Sequence, residues 1–151
     1  MNSRMPKLSK ATASDLPAIL TLLRACKLLE SGVAEAIDEF FVVRADTTLL
    51  GCAGLEAYGQ LGLLRSVAVE AHARKSGLGR ELVEAVVASA RAHGFRELFL
   101  LTTIAAASFE HLGFVIVPRA AVPPAIAESW EFRVGCAQTA QLMRLALVES
   151  P

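Results

Sequence analysis

The chain has 151 residues, 54% of them hydrophobic and 20% charged, with a mean hydropathy of +0.47. This suits one folded domain with an ordinary core and excludes an intrinsically disordered chain. Fifteen Lys and Arg balance fifteen Asp and Glu, so no global field favours a polyanion and nucleic-acid binding is not expected. The three cysteines, Cys26, Cys52 and Cys136, are odd in number and far apart, which fits reduced thiols better than a disulfide framework. The N-terminus lacks the apolar core of a signal peptide, and no apolar run approaches the ~18 residues of a membrane span. The expectation is a soluble cytoplasmic protein with residues 1–6 as a flexible N-terminus and 7–148 as the domain.

Strand-like and helix-like patterns alternate along the chain. Lys7 to Ala13 reads as a short first strand, and Ser14 or Asp15 can cap a helix through about Lys27, with Leu16, Ile19, Leu20, Leu22 and Leu23 on one apolar side. Residues 28 to 39 form a partly helical connector. Phe40 to Arg44 and Leu49 to Glu56 read as strands joined at Ala45-Asp46-Thr47, and the turn Tyr58-Gly59-Gln60 leads to a third, Leu61 to Val69. The clearest helix runs from about Gly77 to His93, where Leu78, Leu82, Val83, Val86, Val87 and Ala90 recur at helical spacing and His93-Gly94 gives the stop. Glu97 to Leu101 suits a strand buried on both faces, a second helix covers Ile104 to Leu112, and Phe114 to Val117 and Gln141 to Leu147 complete the strands. Pro123-Pro124 opens a short helix between the last two. A crossover unit following antiparallel strands predicts an α/β (α+β) domain, with a mixed sheet of six or seven strands flanked by helices.

The segment Arg74-Lys75-Ser76-Gly77-Leu78-Gly79-Arg80 lies between a strand and the long helix. It places backbone N–H groups and two glycines at a helix N-terminus, the chemistry of a pyrophosphate cradle, and Arg74, Lys75 and Arg80 add positive charge. It is neither a Walker A loop nor a dinucleotide fingerprint, which disfavours a triphosphate or NAD. Taken by itself, the segment reads equally well as a glycine-containing turn with solvated basic residues.

Its context gives a resemblance. The string Leu64-Arg65-Ser66-Val67-Ala68-Val69, then Arg74-x-x-Gly77-x-Gly79 and the helix, resembles the acetyl-coenzyme A binding core of the GNAT superfamily of N-acetyltransferases. A second family segment, a helix ending in Leu-Gly-Phe, is matched by Ser108-Phe109-Glu110-His111-Leu112-Gly113-Phe114. The resemblance runs from about residue 8 to 147 and makes 7–148 an acetyltransferase domain. Gly54 to Gly59, Leu64 to Val69, Leu100 to Thr103 and the tail from Pro123 through Glu131-Phe132, Cys136, Ala140 and Met143 are similar to small bacterial acetyltransferases associated with arsenic-resistance operons. Some of these blocks also resemble the acetyltransferase domain of N-acetylglutamate synthases.

The resemblance implies acetyl-CoA as co-substrate. Val67, Ala68 and Val69 would meet the acetyl carbonyl and pantetheine with their backbone, Arg74 to Arg80 (with Lys75, Ser76, Gly77, Leu78 and Gly79) would hold the pyrophosphate, and Thr102 and Ala105 would face the cofactor. Strand-edge N–H groups can stabilise a developing oxyanion. Where many members carry a tyrosine that protonates the departing thiolate, this chain has Phe109, leaving that task to Ser108, a water or the start of the helix.

Two charged residues have two readings each. Glu56 is either the base that takes a proton from the substrate ammonium or a solvated strand-end carboxylate. Arg65 shares strand parity with Val67 and Val69 and binds either a substrate carboxylate or a protein carboxylate. His72, His93 and His111 lack ligand spacing, so no metal is expected. The function implied is transfer of acetyl from acetyl-CoA to the amine of a small amino-acid-like molecule, an antibiotic or arsenical included, in a ternary complex. A non-catalytic acyl-CoA sensor or interaction module is the rival reading. The partners implied are a small-molecule amine and no nucleic acid or membrane; a homodimer stays open.

Overall fold

Alternating apolar residues and well-placed turns build a seven-stranded sheet in the computed structural model, which describes residues 5–129, 132–133 and 140–148. Residues 1–4 of the expected flexible N-terminus, and Glu131 and Cys136 of the tail, lie outside the described residues. The strands are β1 (Lys7–Lys10), β2 (Phe40–Ala45), β3 (Thr48–Tyr58), β4 (Leu61–Val69), β5 (Glu97–Thr102), β6 (Val115–Val117) and β7 (Gln141–Ala146). Their order is β1-β2-β3-β4-β5-β7-β6. β1 to β2, β2 to β3, β5 to β7 and β6 to β7 pair antiparallel, and β4 to β5 pairs parallel, so the sheet is mixed as expected. The helices are α1 (Leu16–Ala25), α2 (Leu78–Ala92), α3 (Ala106–Glu110) and α4 (Pro124–Ala127). No described helix is long and apolar enough to cross a membrane.

By its contacts the chain divides into two compact units, residues 1–55 with 66–87 and residues 56–65 with 88–151. In the first, Ile19, Leu22 and Leu23 of α1 pack with Val33, Phe40, Val42, Cys52 and Ala68. Three of the five positions expected on the apolar side of α1 are thus buried, while Leu16 and Leu20 pack at the margin. In the second unit, Leu63, Phe99, Ile126 and Leu142 form the core, with Tyr58, Leu61, Leu101, Val117 and Val122 against it.

Turn chemistry sets the element ends. Gly59, with φ +65, lets β3 reverse into β4 through two residues. α2 ends in a Schellman motif: Gly94 (φ +84) donates to the Arg91 carbonyl and Phe95 to that of Ala90. α3 closes the same way around Gly113 (φ +101), which donates to Glu110 while Phe114 donates to Phe109. Some boundaries move inward from the sequence expectation. β1 stops at Lys10 because residues 13–15 wind into a 3-10 turn, and the helix expected over Ile104 to Leu112 keeps five residues.

Candidate active site

Two local geometries position the predicted site residues, one in each unit. In the first unit, the chain leaves β4 at Val69 and reaches α2 through a 3-10 turn at Ala71–Ala73. Lys75 (φ +67) and Gly77 (φ +87) both adopt left-handed backbone around Ser76. Such alternation turns successive N–H groups toward one side, making an anion-binding concavity. The first bond of α2 runs from the Glu81 N–H to the Gly77 carbonyl at 3.0 Å, which leaves the N–H groups of Leu78, Gly79 and Arg80 without an intrahelical partner. A Cβ added at Gly77 would meet nothing within 4 Å, so the space beside the loop is open.

The side chains here have separate tasks. Arg74 donates from Nε to the Val69 carbonyl at 3.0 Å and from Nη2 to Cys26 Sγ at 3.5 Å, which ties the loop back to its own strand. Ser76 is anchored on the Ala73 carbonyl. Arg80 pairs with Glu84 at 3.2 Å, so part of its expected positive charge is balanced on the helix surface. Leu78 is buried and Gly79 lies 3.7 Å, as a built Cβ, from Val69. The parallel register of β4 with β5 covers Leu61 to Leu63 against Glu97 to Phe99, so Val67, Ala68 and Val69 lie beyond that ladder.

Ser66 holds φ +61 in the middle of β4, a conformation that costs a non-glycine residue. A left-handed residue breaks the alternation of side chains along a strand, as in a β-bulge. The parity argument that put Arg65 on one face with Val67 and Val69 therefore does not carry through Ser66. Cys52 donates to the Ser66 carbonyl at 3.2 Å, fixing the bend from β3.

In the second unit, Arg65 has a fully buried side chain, and its Nη1 pairs with Glu56 Oε2. The two residues expected to act separately form one ion pair. The other oxygen, Oε1, accepts the Tyr58 hydroxyl at 2.5 Å. Burial and the Glu56 carboxylate push the Tyr58 phenol well above its usual range, while Ser129 and Arg65 pull the other way. Thr102 is buried, and its Oγ1 accepts the Ala105 N–H at 3.0 Å, shaping the entry to α3. Ser108 is exposed on α3, and Phe109 stacks edge-on against Phe114 with centroids 5.8 Å apart. A polar hollow lined by Met5, Lys7, Ser9, Arg44 and Asp46 holds none of the predicted site residues. Among the described residues, no three His, Cys, Asp or Glu side chains gather as metal ligands would.

Residues 36–116 match the family described as Acetyltransferase (GNAT) domain. The chain belongs to the GNAT acetyltransferase family. Curated relatives include the amino-acid acetyltransferases of Azotobacter vinelandii, 36% identical over 119 residues (72% of this chain, 27% of the relative), and of Salmonella typhi, 33% identical over 122 residues (74% and 27%). The chain thus spans about a quarter of the length of these relatives. Among solved structures, N-acetylglutamate synthase from Neisseria gonorrhoeae, complexed with coenzyme A and N-acetyl-glutamate, superposes with a TM-score of 0.83 at 23% identity, covering 98% of this chain and 36% of that one. Rv2747 from Mycobacterium tuberculosis, in complex with CoA, gives a TM-score of 0.78 at 25% identity and covers 94% and 99%.

The GNAT match spans the left-handed loop, α2, β5 and α3, which are the elements that carried the resemblance. Within this GNAT chain the Leu-Gly-Phe segment has a plain physical reason. Gly113 supplies the left-handed residue after the helix, and the Phe109–Phe114 contact is the apolar pair that accompanies a Schellman ending. Phe109 thus does structural work that needs no hydroxyl. Sequence reasoning missed Tyr58 and Ser129. β3 runs two residues past its expected end at Glu56, so the strand period brings Tyr58 onto the face of Glu56; Ser129 left no such signal.

Proposed function

We propose that this chain transfers acetyl from acetyl-CoA to the amine of a small amino-acid-like molecule, directly and within a ternary complex. The observation that carries the reading is the loop of residues 74 to 80: left-handed Lys75 and Gly77, open space at Gly77, and the first turn of a fifteen-residue helix. These features fit a pyrophosphate, because backbone N–H groups and the positive end of the helix meet at one place. Arg74, Lys75, Ser76, Gly77, Leu78, Gly79 and Arg80 hold the pyrophosphate, Val67, Ala68 and Val69 present strand backbone to the acyl arm, and Thr102 and Ala105 line it.

Bound acetyl-CoA supplies an activated thioester carbonyl. Glu56 accepts the proton that the acceptor ammonium must lose, and Arg65 holds the Glu56 carboxylate in place. An acceptor carboxylate reaching Arg65 would have to share the guanidinium with Glu56. Ser108 and water serve the departing thiolate, since Phe109 has no proton to give; a thiol of pKa about 8.5 is a fair leaving group near neutrality. The amino-acid acetyltransferases among the relatives support an amino-acid-like acceptor. The resemblance to acetyltransferases of arsenic-resistance operons adds amino-acid antibiotics and arsenicals to the acceptors worth testing.

Gly77→Asp tests the cradle. A Cβ there meets nothing within 4 Å, and the carboxylate it carries stands where phosphate must sit, so acetyl-CoA affinity by calorimetry should fall by well over tenfold. The left-handed φ adds local strain, so thermal unfolding is measured on the same variant. Unchanged affinity would remove the cradle assignment.

A further inference from the structure

A carboxylate that takes a proton from an ammonium group near neutrality has to be ionised and held in one orientation. Glu56 has a donor on each oxygen, Arg65 on Oε2 and the Tyr58 hydroxyl on Oε1. Tyr58 is held in turn. Ser129, buried just after α4, stands beside the phenol and counters part of the rise that burial causes, and its Oγ accepts the Phe132 N–H at 3.1 Å. The Phe132 amide fixes Ser129 beside the phenol, and the Tyr58 hydroxyl ends on Glu56.

We propose that Tyr58, oriented by Ser129, is a positioning residue that fixes the Glu56 carboxylate as the proton acceptor of acetyl transfer. This rests on reading Glu56 as that acceptor. Burial keeps the phenol protonated through the working range, so Tyr58 acts here as a donor. The described charged and titratable groups shown bonded to the Glu56 carboxylate are Arg65, from β4, and Tyr58, from its own strand; Ser129 reaches it through Tyr58.

Removing a donor from a carboxylate favours its protonated form. The acid limb of kcat/KM should therefore move to higher pH, by about one unit in Tyr58→Phe and by less in Ser129→Ala. Turnover of Tyr58→Phe at neutral pH should fall about tenfold, with KM for acetyl-CoA unchanged. A role in packing alone would lower the melting temperature without moving the limb. Wild-type limb and turnover in Tyr58→Phe overturn the proposal; if that variant does not fold, an unmoved limb in Ser129→Ala does so. Glu56→Gln separates this from the reading beneath it. Retained turnover and limb in Glu56→Gln would end the assignment of Glu56 as acceptor, and this inference with it. Loss of turnover there, beside an unshifted Tyr58→Phe, would end only the role of Tyr58.

Discussion

Asp15 shows how one residue couples the fold to pH. Its side chain is buried at the start of α1, where it pairs with Arg44 of β2 and accepts the Thr12 N–H at 2.8 Å. Burial raises the carboxyl, but Arg44 and the Thr12 amide outweigh it, and the net shift is below the ordinary value. A folded value below the unfolded value of about 3.9 means that stabilisation is complete above the unfolded value and is lost as pH falls through the folded one. Asp15→Asn should therefore flatten the acid side of the stability profile measured by urea unfolding. Arg44→Ala should cost about 1–3 kcal/mol near neutrality, by leaving a buried carboxylate without its cation. Arg65 likewise has a protein carboxylate against it. Its chain position allowed a substrate or a protein carboxylate, and only the structure shows Glu56 against it.

At the scale of elements, close packing makes two glycines unequal. Gly54 on β3 lies under Phe40 of β2, and a built Cβ would come within 2.2 Å of that ring. Phe40 is fully buried and has no room to withdraw. Gly54→Ala should destabilise by about 1–3 kcal/mol, read as a lower urea midpoint. Gly79→Ala is the control, since its nearest neighbour stands at 3.7 Å; stability should hold.

The same scale separates what was legible in the sequence from what was not. α2 was readable within a residue at each end because six apolar residues recur at helical spacing before a left-handed glycine. β2, β3 and β4 were readable because turns at Asp46 and Gly59 separate them. The bend at Ser66 was not, because a left-handed serine inside a strand has no local signature. α3 was over-extended for a related reason. Thr102 bonds the Ala105 amide and delays the helix until Ala106, a competition of side chain with backbone that apolar periodicity does not show.

At the scale of the whole chain, whose family is GNAT, the loop proposed for pyrophosphate follows β4, and the Glu56 carboxylate, bonded on both oxygens, lies on β3. The turn before α2 was legible as backbone geometry because glycine spacing before an amphipathic helix has a backbone meaning. Glu56 was legible as a candidate base, but its bonds to Arg65 and Tyr58 were not, because pairing between side chains leaves no mark in chain order. Phe109 has no proton to give, and the rival reading has the chain bind acyl-CoA without turning it over. The measurement that bears most directly on this is steady-state thiol release from acetyl-CoA with a panel of amines: amino acids, phosphonate analogues and arsenical analogues. Amine-dependent release with a small amino-acid-like acceptor is expected, with turnover lost in Glu56→Gln. Tight acetyl-CoA binding with no amine-dependent release from any member of the panel would contradict it.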